Sequence, residues 1–110
     1  MSEIVVRRVH NLGLPRSRRM ARIWSSTAME KLGMTCINIQ GDICDRIEFS
    51  RPGVSGVMHV MPEYLEVRVT LGLLFKSFSG QVEAEVKRRL EESVVNELKR
   101  PEPWQAPEEA

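Results

Sequence analysis

The chain has 110 residues, 42% of them hydrophobic and 28% charged, with 16 Lys/Arg against 15 Asp/Glu for a net charge of +1. That length accommodates one hydrophobic core and excludes two, and the composition excludes a disordered chain. No apolar run approaches the ~20 residues that span a bilayer, and two cysteines, Cys36 and Cys44, are too few for a disulfide framework or a zinc site.

The opening "MSEIVVRRVHNLG" places an acid and two arginines around a short apolar stretch, unlike a secretory signal, so the chain reads as cytoplasmic. Glu3 to Val9, "EIVVRRV", is short and β-branched and predicts a first strand, closed by the turn-forming "HNLG". Pro15 suits a first helical turn, and a helix is predicted from about Pro15 to Leu32. Its Ala21, Trp24, Ala28 and Leu32 recur at spacings of three and four, with Met20 and Ile23 widening the stripe and Gly33 closing it. Arg16, Arg18, Arg19 and Arg22 form a basic patch in its first turns.

From Met34 to Leu71 the period becomes two. "TCINI" puts Thr35, Ile37 and Ile39 on one face, Gly41-Asp42 turns the chain, and "ICDRIEF" returns with Ile43, Ile47 and Phe49 in phase, interrupted by Asp45. "RPGVSG" reads as a second turn, "VMHVM" as the next strand and Pro62-Glu63 as a third turn. "YLEVRVTL" is the clearest strand, with Leu65, Val67, Val69 and Leu71 inward and Glu66, Arg68 and Thr70 outward.

In "LGLLFKSFSG", residues 71–80, Gly72 lets the chain bend, so Leu73, Leu74, Phe75 and Phe78 are expected to wrap the sheet edge, most of them as core. Burying each stabilises the fold by roughly 1.5–3 kcal/mol. The alternative is a surface anchor in which two of them point outward around Lys76. A second helix follows from Gln81 to Arg100 through Val82, Val86, Leu90, Val94 and Leu98, stopped by Pro101. Residues 1–100 then make a single domain, and residues 101–110, rich in Pro and Glu, a disordered tail. The order β-α-β-β-β-β-α predicts an α+β fold of two layers: a mostly antiparallel five-stranded sheet with two helices packed on one face.

Chemistry-bearing residues are sparse. Histidine is the side chain whose unperturbed titration lies near neutrality, which makes His10 and His59 the candidates for acid–base work, yet no spacing brings a nucleophile and an orienting carboxylate to either; the plain reading is a turn hydrogen bond for His10 and a strand position for His59. Both remain candidates for polar contacts to a ligand in a cavity lined by Trp24, Phe49 and Met61. "GVSG" is too short for a phosphate loop. The arginine patch raises a nucleic-acid reading, but no aromatic residues interleave with it and no binding motif accompanies it. Cys36 and Cys44 are expected on the polar face of one hairpin, where oxidation could join them.

"HNLG" before a long helix, "GVSG" among the strands and "VRVTLGLLFKSFSGQVEAEV" at the second helix resemble, in that order and over roughly residues 4–98, the polyhydroxyalkanoic acid system family. These are small bacterial proteins associated with storage-polyester genes. The last block is the most specific, a strand, an LG-x-L turn, a Phe-containing link and a helix start at Val82-Glu83. The first helix departs from the family pattern, being basic in "PRSRRMARIWSS" where members tend to be rich in Ala and Glu. The resemblance implies a setting, the bacterial cytoplasm and polyester granules, with no catalytic residues to carry over and no cofactor. The expectation is a non-enzymatic accessory protein that binds the granule surface or a granule-associated protein through Leu73, Leu74, Phe75, Lys76 and Phe78. A small hydrophobic-ligand binder or enzyme, and a nucleic-acid module on the first helix, are the alternatives.

Overall fold

The computed structural model describes residues 2–102; of the tail expected at 101–110, all but the first two residues lie outside the described residues. Five strands, β1 (Ser2–Val9), β2 (Thr35–Gln40), β3 (Asp45–Arg51), β4 (Val54–Val60) and β5 (Tyr64–Leu71), form one sheet in the order β1-β5-β4-β3-β2, every pair antiparallel. Helices α1 (Leu14–Leu32) and α2 (Ser79–Leu98) cover one face, α1 over β2, β4 and β5 and α2 over β1 and β5. This is the expected two-layer α+β architecture.

Local chemistry accounts for the chain's reversals. In "HNLG" Asn11 takes a positive φ of 53°, and the N–H groups of His10 and Asn11 both donate to the Glu63 carbonyl, at 2.8 and 2.9 Å. The turn before α1 is thereby docked on the turn between β4 and β5. Pro15 occupies the first turn of α1, and Gly33, left-handed at φ 64°, ends the helix.

Register places the core. Ile4 and Val6 of β1 face Val69 and Val67 of β5, Met58 and Val60 of β4 face Val67 and Leu65, and Ile47 of β3 faces Met58. These buried side chains meet Met20 and Ala21 of α1 and Leu90 and Val94 of α2. Phe49 crosses from β3 over Gly56 of β4, where an added Cβ would lie 2.3 Å from the ring's Cζ and 2.5 Å from the Arg68 carbonyl oxygen. "VSG" is therefore strand, not turn: β4 begins at Val54, and Gly56 is the seat of an aromatic ring.

Four further expectations are corrected. Ile37 and Ile39 share a face with Arg46 and Glu48, the side away from the helices, and both are exposed. Ile43, 74% exposed, precedes β3 in a bend, while Asp45, expected as an interruption, is buried on the helix side. It is held there by the Arg18 guanidinium at 2.9 and 3.0 Å and by the Gly41 N–H at 3.1 Å. In the same register Cys36 opposes Phe49 on the helix side, and Cys44 lies beyond the paired end of the hairpin, so the two are not cross-strand neighbours. Finally, α2 ends by turning Glu97 inward, not Leu98, which is exposed. Glu97, 0% exposed, sits among Arg19, Arg16 at 3.6 Å and Arg100 at 3.7 Å, locking the start of α1 to the end of α2.

On the outer face, Glu66 is covered by Arg7 and Arg68, at 2.7 and 3.0 Å, and Arg7 lies over the Tyr64 ring at 4.2 Å from its centroid. The Arg7 hydrogen bond first, then that of Arg68, holds the Glu66 carboxyl below its ordinary range against the opposing effect of burial.

Candidate functional site

The segment after β5 is shaped by two glycines. Gly72 donates its N–H to the Gly53 carbonyl at 2.9 Å, clamping the end of β5 to the turn between β3 and β4. Gly53 has φ 81°, and any Cβ there would lie 2.5 Å from Phe75, so the ring rests on bare backbone. Between these anchors and α2, residues Leu73–Phe78 form a 3-10 helix.

With three residues per turn, Phe75 and Phe78 fall on one side. Phe75 packs against the core and Phe78 is 48% exposed. Leu73 and Leu74, on the other side, are 86% and 85% exposed, with Lys76 exposed beside them. The expectation that most of these residues are core is thus overturned. The 3-10 period allows only one side to reach the sheet, and Phe75 takes it.

Behind this lip lies an apolar cleft of about 510 Å³ between the helices and the sheet. Trp24 of α1, Phe49 of β3, Phe75 and Phe78 of the lip, and Val82 and Val86 of α2 line it, with Arg51, Gln81, Glu85 and Arg89 as its polar residues. Trp24 and Phe49 meet edge to face, ring centroids 5.2 Å apart. Two of the three residues expected around a cavity are therefore present. Met61 is not, because it follows β4 at the opposite end of a seven-residue strand, roughly 20 Å away.

Neither histidine lines the cleft. His59 sits on the outer sheet face opposite Arg46 and Glu66. His10 accepts the Leu12 N–H at Nδ1 (2.9 Å), so its proton is on Nε2, which faces the Ser17 oxygen at 3.2 Å. An imidazole in that tautomer donates to the hydroxyl and cannot take its proton, and Ser17 is fully buried. The pair is wired as a helix-start clamp and is the reverse of an activated nucleophile.

Burial first, then the Arg8 charge, pushes the His10 pKa below its ordinary value, against weaker attraction from Glu63 and Glu97. A depressed folded-state pKa means that stability present above the unfolded value near pH 6.5 is lost as pH falls toward the folded value. Urea unfolding between pH 7 and 5 should show declining stability in the wild type and a flatter profile in His10→Gln. Parallel profiles would contradict this assignment.

The basic patch is largely internal. Arg18 is committed to Asp45, Arg16 and Arg19 to Glu97, and only Arg22 of the four lies exposed without an ion pair among the described residues. No helix in the described residues is long and apolar enough to cross a membrane.

A family model described as "Putative polyhydroxyalkanoic acid system protein" matches residues 4–94. The chain belongs to that family. No curated protein and no solved structure matches it. The matched span of this polyhydroxyalkanoic acid system family member takes in the "HNLG" turn, the sheet apart from the first two residues of β1, the lip and the cleft. Arg51, which with Arg89 supplies the positive charge of the cleft and which sequence reasoning missed, is legible only from register: it lies opposite Val54 at the tight turn, on the helix side.

Proposed function

We propose that this protein is a non-enzymatic accessory component of polyhydroxyalkanoate metabolism that adheres to the surface of polyester granules through its lip. The observation that carries this reading is the exposure of Leu73 and Leu74 on a segment pinned at both ends. Their burial in the core would stabilise the domain by roughly 1.5–3 kcal/mol each, yet the Gly53–Phe75 seat holds them outward. Exposed large apolar side chains on a fixed element are the mark of an interaction surface, and membership of the polyhydroxyalkanoic acid system family makes a polyester surface the hydrophobic partner we assign to it. Lys76 can keep its ammonium in water while its stem lies along the surface.

Two features support the non-enzymatic side of this reading: the Ser17–His10 tautomer and, among the described residues, a cleft whose one carboxylate, Glu85, is tied up in ion pairs. Internal pairing of Arg16, Arg18 and Arg19 weighs against the nucleic-acid alternative, since phosphates would have to displace carboxylates.

Co-sedimentation with washed polyester granules tests the proposal. Leu73→Ser/Leu74→Ser should lower granule affinity by about 100-fold or more, from two lost apolar insertions, with an unchanged unfolding midpoint because neither residue is packed. Equal recovery of wild type and variant would reject the lip as the adhesive surface. Binding that requires native coat proteins on the granule, absent on bare polyester, would reassign the partner to a protein.

A further inference from the structure

The cleft behind the lip has features that adhesion to a flat surface does not use. Its volume of about 510 Å³ falls in the ~300–1,000 Å³ range of small-molecule sites, which combine apolar walls with a few polar groups. Walls of Trp24, Phe49, Phe75, Val82 and Val86 present hydrocarbon and aromatic surface, with the Trp24 indole N–H as their one side-chain donor and no acceptor, which suits an alkyl chain better than a sugar, nucleotide or peptide backbone.

Its charge is specific as well. Arg51 donates from Nη1 to the Leu32 carbonyl at the end of α1 (2.8 Å), which fixes the guanidinium at the negative end of the helix dipole. No carboxylate among the described residues pairs with it, so its other donors remain free. Glu85, the acid of the cleft, is engaged by Arg88 and by Arg89 at 2.8 Å. Arg88 also pairs with Glu92, so these two arginines offset two carboxylates, and Arg51 is the positive charge left over at the rim for an incoming anion.

The geometry points to a binding site for one aliphatic carboxylate, its alkyl chain laid between Trp24, Phe49 and Val86 and its carboxylate on the guanidinium of Arg51. The inference goes beyond granule adhesion and stands whether or not the lip binds polyester. The same chemistry has two sources, a free alkanoic acid and the carboxyl end of a polyester chain.

Calorimetric titration of the full chain tests it with decanoate, with methyl decanoate and with a carboxyl-ended 3-hydroxyalkanoate oligomer. Decanoate should bind, with the uncharged ester about tenfold or more weaker, the loss of one charge-assisted contact. Arg51→Gln should bring decanoate down to the level of the ester, and Arg51→Lys should recover part of the difference. Val82→Trp, at a half-buried position on the cleft wall, should block decanoate while leaving granule recovery intact. Leu73→Ser/Leu74→Ser should do the converse, so failure of the two proposals is distinguishable. Competition by the oligomer assigns the source to polyester chain ends, and its absence to the free acid, both supporting the site. Four results would overturn it: no decanoate binding to wild type, equal affinity of wild type and Arg51→Gln for decanoate, full decanoate binding by a folded Val82→Trp, or a wild-type dimer that Val82→Trp dissociates.

Discussion

Replacing Arg19 by Met should destabilise the domain by about 3 kcal/mol or more, and replacing Glu97 by Gln by distinctly less. The two substitutions break the same ion pair from opposite sides, but the partners they strand differ. Glu97 is fully buried, so removing its closest guanidinium leaves a carboxylate with Arg16 and Arg100 at 3.6 and 3.7 Å and no route to water. Breaking a buried pair in that way costs roughly 3–5 kcal/mol. With Glu97 neutralised instead, Arg19 and Arg100 retain solvent access through partly exposed side chains and can relax outward, while Arg16, the most covered of the three, keeps its hydrogen bond to the Arg100 carbonyl at 3.1 Å. Against a total stability of roughly 5–15 kcal/mol, the Arg19 variant should shift the urea midpoint far enough to read without ambiguity. Equal losses, or a larger loss for Glu97→Gln, would mean that the carboxylate is not the desolvated member.

Gly56→Ala should cost about 3 kcal/mol and disturb the cleft along with the sheet. The added methyl would sit 2.3 Å from the Phe49 Cζ and 2.5 Å from a backbone oxygen of β5. The ring can swing aside, but the backbone cannot without opening the ladder between β4 and β5. Overpacking of this kind typically costs 1–3 kcal/mol, occasionally more, and the inflexible second contact puts this site at the upper end. Since Phe49 meets Trp24 edge to face, the near-ultraviolet dichroism of Trp24, recorded in a Trp104→Phe background, should change as well. A variant with wild-type stability and spectrum would show that the ring does not occupy that seat.

The architecture could be read from the sequence because its signals agree. Alternation in Leu65, Val67, Val69 and Leu71, the three-and-four spacing of Met20, Ala21, Trp24 and Ala28, and Pro15 and Gly33 at the helix ends all favour one arrangement. The site was harder to see for three physical reasons. Leu73 and Leu74 obey no rule that apolar residues go inside, because that rule runs in one direction only, and the 3-10 geometry selects Phe75 over them. Asp45 and Glu97 carry the code of solvated residues, and only the topology that brings Arg18 and Arg19 beside them makes their burial affordable. Arg51 has no sequence signal at all until register places it over Leu32. In the hairpin of β2 and β3 the phase of Ile47 and Phe49 is legible, whereas Ile37 and Ile39 look like core and lie on the polar side.

The position of β1 at the margin of the sheet, hydrogen-bonded only to β5, has a consequence for how the chain assembles. The meander from Thr35 to Leu71 closes through neighbouring segments, whereas Ser2 finds Leu71 only across the whole intervening chain. Such distant pairings carry the largest entropic cost and come slowly. A nascent chain therefore holds Ile4 and Val6 uncovered until the last strand has been made, and that interval is when this protein is most vulnerable to self-association.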